Sequence, residues 1–310
     1  MVKIITLTPN PVRDYAVDAA FVAPNRKIRC KNPVTHPGGG GVNVARATSR
    51  LGAQTLAILT AGGVAGEAMK IALAEENVPM RAVPVAGETR IAFHVRDIEG
   101  DNEYRFNLPG EEMRPSEIDA VFRALEEEAG TDDFVVGSGS LPPGTPNNFW
   151  ATAARIAKNK GARFVLDSVN GLDAAMEEGF FLLRLNKFEY PALAGKDLAW
   201  PDEIIAFAQN LVRQGQIERV SITHGADGSV LAAPDHVSQV GALPIPAHSA
   251  VGAGDSFVGG LLAGLIQGWS EEKSLRYAMC AAAATRLTPG TALFRMDDVE
   301  RLFKESSLST

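Results

Sequence analysis

The stretch SAVGAGDSFVGG, residues 249–260, places a carboxylate behind a glycine-rich turn and at the start of an apolar helical pattern. A helix start attracts anions, and small residues let a bulky anion approach the backbone. We expect Gly252, Ala253 and Gly254 to hold negative charge that develops on a transferring phosphoryl group. Asp255 would then accept the proton of an attacking hydroxyl. The alternative is that Asp255 is only the N-cap of the helix.

The position of Asp255 also predicts its acidity. A carboxyl at a helix start should have a lowered pKa, which makes it a weak base. Phosphoryl transfer tolerates a weak base, because its transition state is loose and positioning dominates. The spacing of Gly252, Gly254 and Gly259 does not match the G-x-G-x-x-G of dinucleotide-binding folds, which argues against a nicotinamide-dependent oxidoreductase.

Two further glycine-rich segments have polar residues that could contact a ligand. In HPGGGGVNVARA, residues 36–47, four glycines lead into a helical pattern, and the Asn43 amide could bind a hydroxyl. A flexible connector is the alternative. In VGSGSLPPG, residues 136–144, small hydroxyl side chains follow an apolar run and could contact a sugar or phosphate. An ordinary strand-to-loop turn would also explain this segment.

Two segments in the second half of the chain carry weaker patterns. In RLNKFEY, Asn186 and Glu189 offer oxygen ligands that suit a hydrated Mg²⁺, although the same spacing is typical of a helix capping arrangement. From the residues alone, capping is the favoured interpretation. In SITHGADGSVLA, residues 221–232, two glycines predict a hairpin whose backbone could face phosphates, and a plain β-turn explains them equally well.

The elements that must position these groups alternate along the chain. Short apolar runs predict strands, and amphipathic patterns between them predict helices. The predicted strands are 3–8, 55–61, 133–139, 163–167, 181–186 and 219–225, and the clearest helices are 65–78, 115–129 and 201–215. This alternation predicts an α/β fold with a mainly parallel sheet flanked by helices. Ligands of such folds bind beyond the carboxyl ends of the strands.

Two segments, 12–36 and 88–107, show polar/apolar alternation instead. We expect them to form a small inserted β-sheet, which would act as a lid or a dimer surface. The remaining residues, 1–11, 37–87 and 108–310, are assigned to the α/β domain.

Composition limits the partners. The 310 residues are 45% hydrophobic and 22% charged, as in ordinary globular proteins. A net charge of -7 argues against a broad nucleic-acid surface but allows a phosphorylated small molecule. Cys30 and Cys280 are too few and too distant for a disulfide framework. With no signal-peptide pattern and no long apolar stretch, we expect a cytoplasmic protein that does not bind membranes.

Taken together, the glycine run at 38–47 and VGAGDSFVGG resemble the two signatures of the ribokinase family, also called PfkB carbohydrate kinases, and the resemblance extends along essentially the whole chain. It implies a Rossmann-like domain with a β-sheet lid, and transfer of the γ-phosphoryl group of ATP to a sugar hydroxyl with Mg²⁺. A requirement for K⁺ is left open.

The resemblance also implies roles for individual residues. Asp255 matches the catalytic base, and Gly252, Ala253 and Gly254 match the anion hole. The N-x-x-E element that organises metal-bound water corresponds to Asn186 and Glu189. The remaining matches form the expected nucleotide site, in which two cations add positive charge: Thr223, Gly225, Gly228, Lys27 and Arg184.

Within the family, the motifs HPGGGGVNVARA, GSGSLPPG and NPVRD most resemble the bacterial 6-phosphofructokinases. Kinases of tagatose 6-phosphate or fructose 1-phosphate are close alternatives, and they usually carry Lys where Gly40 stands. By resemblance, the sugar phosphate site consists of Asp14, Gly39, Gly40, Asn43, Arg90 and Ser138. Arg90 is the expected phosphate clamp, because a guanidinium binds phosphate bidentately.

Two other expectations follow. Retention of Asp255 argues against a sugar-phosphate sensor without turnover. A homodimer through the inserted sheet is expected, because an apolar lid face left in water would be costly.

The chain departs from the family pattern at four positions. Arg184 and Leu185 stand where Lys-Pro commonly precedes the Asn of N-x-x-E. His224 occupies a position that is usually apolar, and Arg286 lies in a segment that shapes the adenine pocket in relatives.

Overall fold

The computed structural model describes residues 2–246 and 249–307. The strands, in chain order, are β1 (Ile4–Thr8), β2 (Val12–Ala19), β3 (Lys31–Gly38), β4 (Thr55–Ala61), β5 (Met80–Pro84), β6 (Arg90–Asp97), β7 (Asn102–Asn107), β8 (Phe134–Ser138), β9 (Arg163–Asp167), β10 (Phe180–Asn186), β11 (Ile217–Thr223), β12 (Ser229–Ala232) and β13 (Val237–Val240). The helices are α1 (Gly40–Arg50), α2 (Gly63–Glu75), α3 (Pro115–Glu128), α4 (Phe149–Asn159), α5 (Leu172–Glu178), α6 (Tyr190–Ala194), α7 (Asp202–Arg213), α8 (Ala253–Ile266), α9 (Glu271–Arg286) and α10 (Met296–Ser306).

The larger sheet has nine strands in the order β13-β12-β11-β10-β9-β8-β1-β4-β5. The seven strands from β11 to β5 are mutually parallel. At one edge, β12 and β13 add antiparallel strands, and the pairing of Thr223 with Ser229 confirms the predicted hairpin. Because parallel strands point the same way, the ends of β1, β8, β9, β10 and β11 meet at one edge of the sheet. The predicted α/β class is confirmed.

Side chains alternate between two helical layers, as strand geometry requires. Ile5 and Leu7 of β1 face a core that contains residues of α3, α4 and α7. Ile4 faces the opposite core, which contains residues of α1, α8 and α9. Burial on both faces explains why these strands read as continuous apolar runs rather than as alternating patterns.

The second sheet has four strands in the order β3-β2-β6-β7. Its strands lie in the two segments with alternating sequence, except that β3 continues two residues past the predicted boundary at residue 36, to Gly38. The division of the chain into two domains with the predicted boundaries stays a prediction. Among the described residues, no helix is long and apolar enough to cross a membrane.

Candidate active site

The turn before α8 is built to expose backbone N–H groups. Gly252 is the N-cap residue and has a φ of 73°, a left-handed conformation that favours glycine. A Cβ atom at this position would also lie 2.6 Å from Leu293 Cδ2. In the first helical turn, the Ser256 N–H donates to the Gly252 carbonyl at 2.8 Å and the Ala253 N–H makes a long contact of 3.4 Å with the Ala250 carbonyl. The N–H groups that precede the first intrahelical bond have no partner within the helix and point toward its N-terminal end. This turn can therefore receive an anion.

Asp255 lies in that first turn, and its nearest hydrogen-bond partner comes from α1. The Nδ2 atom of Asn43 donates to Asp255 Oδ2 at 2.9 Å, although the two residues are 212 positions apart. The two helices can approach because Gly259 has no side chain: a Cβ atom there would lie 2.9 Å from Ala47 Cβ. Asn43 and Asp255 each lie four residues, about one turn, before that contact. Close helix packing thus brings the predicted base and the predicted sugar-binding amide together.

A row of polar side chains follows the carboxyl ends of four adjacent strands, β8 to β11. Ser138 donates to Asp167 Oδ2 at 3.0 Å, and Arg184 Nη1 donates to Asp167 Oδ1 at 3.0 Å. Arg184 Nη2 then donates to Thr223 Oγ1 at 2.8 Å. We call Ser138, Asp167, Arg184 and Thr223 the strand-edge row. Three of its members were predicted site residues, and the structure brings them together.

The strand-edge row lies directly beneath the start of α8. A Cβ atom at Gly254 would lie 2.8 Å from Arg184 Nη2 and 3.0 Å from Nη1, so glycine allows the guanidinium to pack against the helix backbone. Arg184 is almost fully buried and paired with Asp167, so its position is fixed. The guanidinium adds positive charge at the point where the helix already favours an anion.

The expected lowering of the pKa of Asp255 is wrong. Burial and the nearby charge of Asp167 raise the pKa of Asp255 to about 7, despite the opposing hydrogen bond from Asn43 and the charge of Arg184. The helix start is a weak local effect, whereas lost hydration and a second carboxylate are large ones. A carboxyl with a pKa close to neutrality is well matched to general-base catalysis.

The glycine run before α1 makes close contacts, which argues against a flexible connector. Gly39 has a φ of 102°, and a Cβ atom there would lie 3.1 Å from Pro11 Cα. At Gly40, a Cβ atom would lie 2.3 Å from the Ser138 hydroxyl. A lysine at position 40 would therefore force Ser138 to move.

Residues of the second sheet lie near Asp255, since the charge of Asp14 on β2 contributes to raising the pKa of Asp255. We call the space between the two sheets the cleft and the sheets its two walls. Asp14 on β2 is buried and lies against the backbone of Gly38, and its Oδ1 accepts a hydrogen bond from His94 Nε2 at 3.1 Å. Arg90, the first residue of β6, pairs with Val12 in the sheet. Among the described residues, its guanidinium donates hydrogen bonds to neutral carbonyl oxygens, including that of Asn10 at 3.3 Å, and to no carboxylate. Arg90 is therefore not neutralised by a carboxylate in direct contact.

The predicted nucleotide loop connects β11 to β12. Gly225 and Gly228 have φ values of 65° and 125°, and the His224 N–H donates to the Gly228 carbonyl at 2.8 Å. The His224 ring stacks on Trp200 with centroids 5.3 Å apart. Its two nitrogens contact Asp227 Oδ2 at 2.8 Å and the Tyr190 hydroxyl at 3.2 Å. The histidine at position 224 is therefore paired within the protein, and its ring holds the β11–β12 loop against Trp200 and Tyr190.

The N-x-x-E element makes the hydrogen bonds of a capping arrangement in the turn before α6, but Asn186 is not the N-cap residue of that helix, which is Glu189. The Asn186 N–H donates to Glu189 Oε2 at 2.8 Å, and the Phe188 N–H donates to Asn186 Oδ1 at 2.8 Å. Burial, and repulsion by the charge of Asp167, raise the pKa of Glu189. Capping does not exclude a role toward metal-bound water, because a carboxylate retains further lone pairs.

The residues present fit Mg²⁺ as a hydrated ion that arrives with a nucleotide. No cluster of three or more ligating side chains occurs in residues 2–246 and 249–307, so a dedicated protein cage is absent there. Magnesium usually keeps several waters and binds through one or two carboxylates plus phosphates. The repulsion between Asp167 and Glu189 is what such a cation would relieve.

The two remaining positions are Leu185 and Lys27. Leu185 is fully buried in the central strand β10, where it pairs with Ile222, so the missing proline lets the strand keep a backbone donor. Lys27 is exposed in the turn after β2, and no hydrogen bond or ion pair joins it to the cleft in the described parts of the chain. Its assignment to the nucleotide stays a prediction.

The sequence interpretation missed Asp167. The strand 163–167 was predicted correctly, and its last residue is an acidic one at the edge where ligands bind. That position was the available signal. Its importance appears only when Ser138 and Arg184 are seen on either side of it.

Comparison with known proteins agrees with this geometry. A family model described as pfkB family carbohydrate kinase matches residues 7–297. The chain belongs to this family. The ATP-dependent 6-phosphofructokinase isozyme 2 of Mycobacterium tuberculosis is 38% identical over 97% of this chain and 89% of that protein. The 1-phosphofructokinase of Bacillus subtilis is 32% identical over 91% of this chain and 92% of that protein.

A solved structure covers nearly the whole pfkB-family chain. Phosphofructokinase-2 from Escherichia coli, in complex with substrates and products, superimposes with a TM-score of 0.94 at 35% identity, over 99% of this chain and 100% of that chain. The same E. coli protein has been solved with potassium, with fructose 6-phosphate, and as a tetrameric inhibited form.

Proposed function

We propose that this pfkB-family protein is an ATP-dependent 6-phosphofructokinase, which converts fructose 6-phosphate and ATP to fructose 1,6-bisphosphate and ADP. The observation that carries the proposal is the contact between Asn43 and Asp255 at the start of α8, above the strand-edge row. A sugar hydroxyl held by Asn43 would lie beside Asp255. The identity to 6-phosphofructokinases and the fructose 6-phosphate complex of the E. coli relative support this acceptor.

The reaction follows from this arrangement. The acceptor hydroxyl oxygen attacks the γ-phosphorus of ATP, and the bond from that phosphorus to the bridging oxygen of ADP breaks. Asp255 takes the hydroxyl proton. The N–H groups at the turn Gly252–Gly254 and the guanidinium of Arg184 stabilise the negative charge on the transferring group. When bound, Mg²⁺ would neutralise phosphate charge, with Glu189 and Asn186 positioning its water.

The sugar phosphate would be held by the remaining predicted residues. Asp14 and Asn43 offer groups for sugar hydroxyls, and Ser138 and the backbone of Gly39 and Gly40 line the approach to Asp255. Arg90 would bind the phosphate that the acceptor already carries. Its weak contacts with neutral carbonyls leave donors for a dianion.

A second candidate function is 1-phosphofructokinase, which the similarity to the B. subtilis protein favours. Gly40 argues against it, because relatives of that type usually have lysine at this position. A Cβ atom there would lie 2.3 Å from the Ser138 hydroxyl, so this site does not accommodate a lysine without a shift. Tagatose 6-phosphate kinase is a further alternative within the same chemistry.

The deciding experiment is ADP release by the purified protein with MgATP and a panel of acceptors: fructose 6-phosphate, fructose 1-phosphate, tagatose 6-phosphate, fructose and ribose. We expect fructose 6-phosphate to give the highest kcat/KM. If another phosphorylated sugar leads, the acceptor assignment fails while the kinase chemistry stands. Tight binding of sugar phosphate without any ADP would indicate a sensor instead.

The ion requirement and the location are further parts of the proposal. We expect no turnover without Mg²⁺. A requirement for K⁺ is left open, although the E. coli relative has been solved with potassium. The reducing environment suggested by two free cysteines supports a cytoplasmic location.

We also infer a homodimer through the second sheet. Phe93 and Phe106 pair across β6 and β7 on one face, and they are 40% and 52% exposed. Tyr15 packs beside Phe93, and Tyr104 lies two residues from Phe106 on the same face. An aromatic face of this kind is costly in water and suits a second copy of itself.

Light scattering tests the dimer. We expect a dimer at micromolar concentration and a monomer for Phe106→Lys. Ile71→Lys is the control, because Ile71 is 61% exposed but lies on α2, outside this face. A monomeric unmodified protein, or a dimer that survives Phe106→Lys, would contradict the assignment.

A further inference from the structure

Arg46 is a fully buried arginine that the proposed chemistry does not use. It lies on α1 and has no exposed surface. Burying a guanidinium is costly unless all of its donors are paired, so its contacts indicate what it is for. Those contacts lead from the C-terminal end of α2 to the predicted base.

The first set of contacts fixes the guanidinium. Its Nε donates to both carboxylate oxygens of Glu76, at 2.9 and 3.1 Å, and its Nη2 donates to Glu76 Oε1 at 2.7 Å. Glu76 is the C-cap residue of α2. Burial raises the pKa of Glu76, but the hydrogen bonds and charges of Arg46 and Arg50 outweigh it, so the pKa is lowered. The pair is charged and bidentate, which holds the plane of the guanidinium.

The remaining nitrogen points toward the site. Arg46 Nη1 donates to Asn43 Oδ1 at 3.1 Å and to the Pro37 carbonyl at 2.9 Å. The carbonyl oxygen of the Asn43 amide is therefore occupied, so its Nδ2 must face Asp255, to which it donates at 2.9 Å. A flipped amide would place two oxygens, one of them charged, against each other. Arg46 thus specifies which end of the amide meets the base.

We propose that Arg46, held by Glu76, is a positioning residue for the phosphoryl transfer: it fixes the orientation of the Asn43 amide, which in turn fixes the Asp255 carboxylate. The same guanidinium also contacts Pro37 near the end of β3. It therefore connects a strand of the second sheet with the Asn43 amide and, through that amide, with Asp255. This inference rests on the proposed function for its kinetic test, but the orientation of Asn43 can be measured without turnover.

The chain offers a matched control in Arg50. It lies one turn further along α1, and its Nη2 donates to the same carboxylate, Glu76 Oε2, at 2.8 Å. Its Nη1 donates to the Phe294 carbonyl and not to Asn43. Arg50→Lys therefore weakens the same ion-pair cluster without changing the contact with the amide.

The kinetic experiment compares Arg46→Lys with Arg50→Lys. Lysine keeps the charge opposite Glu76, but its single ammonium cannot also reach Asn43 and Pro37. For Arg46→Lys we expect kcat to fall by about tenfold or more, as expected when a reacting group is misplaced. For Arg50→Lys we expect less than a twofold change. In an Asn43→Ala background, Arg46→Lys should cause little further loss, because the effect passes through Asn43.

The pH dependence gives a readout that a purely structural role would not move. Asp255 is faced by Asn43 from α1, Asp167 from β9, Arg184 from β10 and Asp14 from β2. Removing the Asn43 donor should shift the acid limb of kcat/KM to higher pH in Arg46→Lys only. Arg46 itself faces Glu76, Arg50 and His36, which do not contact Asp255 directly.

A measurement without turnover separates this inference from the proposed function. In protein labelled with ¹⁵N-asparagine, the side-chain amide signal of Asn43 is identified by its absence in Asn43→Ala. We expect it to titrate with a midpoint of about 7 in the unmodified protein, following Asp255. It should not titrate in Asp255→Asn or in Arg46→Lys, and should titrate normally in Arg50→Lys.

Each outcome decides the inference. If Arg46→Lys keeps the titration of the Asn43 amide and an unchanged kcat, Arg46 is only structural and the inference fails. If the unmodified protein shows no kinase activity but the amide titration is lost in Arg46→Lys alone, the proposed function fails while the positioning role stands. Should Arg46→Lys not fold, Glu76→Gln replaces it, with a smaller effect of the same sign expected and no effect counting against the role.

Discussion

The two walls of the cleft hold their polar groups in different ways. On the nine-stranded sheet, the members of the strand-edge row are joined to one another by hydrogen bonds of 2.8–3.0 Å. On the four-stranded sheet, the hydrogen bonds that Arg90 makes within residues 2–246 and 249–307 are with carbonyl oxygens at 3.3–3.4 Å. The members of the strand-edge row are paired with one another, although Arg184 Nε has no partner among the described residues, and Arg90 on the other wall keeps charge available for a ligand.

The difference indicates a division of labour. Groups that stabilise a transition state gain from being fixed in advance, because they need no reorganisation during reaction. A group that binds the non-reacting phosphate of the substrate needs free donors more than a rigid position. We therefore expect changes beneath α8 to lower kcat, and changes on the second sheet to raise KM.

The largest expected effect is that of Asp255→Asn. The variant keeps the shape of the side chain but cannot accept the proton, so kcat should fall by at least about 100-fold. Binding of fructose 6-phosphate should be nearly unchanged, and the fold should be retained. The measurement is steady-state ADP release, with calorimetric binding as the control. Turnover close to that of the unmodified protein would show that Asp255 is not the base. The proposed difference between the two walls would then also fail.

The second effect tests the opposite wall. Arg90→Ala should raise KM for fructose 6-phosphate by about 10- to 100-fold, since a hydrogen bond to a charged group is worth about 1.5–3 kcal/mol. The value of kcat at saturation should change by much less. The same variant assayed with fructose, which has no phosphate, is the control. An equal loss with fructose would show that Arg90 supports the fold of the cleft and not the phosphate.

The sequence predicts the strands and the helix start on the wall of the nine-stranded sheet, but it does not predict the contacts between their side chains. Repeated apolar runs predict the strands, and the glycines before Asp255 predict a helix start, because both signals are local. The bond between Asn43 and Asp255 spans 212 positions and depends on how closely α1 and α8 pack. The position of Asp167 at a strand end is a local signal, but its hydrogen bonds, and most of those of Arg46, are with residues on other elements, which a local pattern does not reveal. The roles of the site residues themselves stay predictions.

The pH dependence of kcat/KM tests the wall formed by the strand-edge row and the start of α8, which we call the fixed wall. With burial and Asp167 raising the pKa of Asp255 to about 7, kcat/KM should fall about tenfold per pH unit below that value and level off above it. The free energy of unfolding should fall as the pH rises, whereas kcat/KM should rise. A carboxyl whose pKa is raised on folding loses stability as the pH rises through the range from about 4 to about 7, because ionisation is then costly.

Melting temperatures check the sign of this linkage. Asp255→Asn should become more stable relative to the unmodified protein between pH 5 and pH 8. If the difference between the two melting temperatures is constant over this range, the carboxyl is already ionised at pH 5. The raised pKa would then be wrong, and the fixed wall would be less desolvated than its packing indicates.

The smallest effect concerns the nucleotide loop, which the fixed wall supports through Thr223. His224 ties this loop to Trp200, Tyr190 and Asp227. His224→Leu removes two hydrogen bonds and the ring stacked on Trp200 but fills the position with an apolar side chain. KM for ATP should therefore rise by about two- to fivefold, with KM for the sugar phosphate unchanged. His236→Leu is the control, because His236 also contacts an aspartate, Asp235, but lies in the turn between β12 and β13. If both variants keep the original KM for ATP, the ring cluster serves packing alone, and the division between the two walls does not extend to the nucleotide.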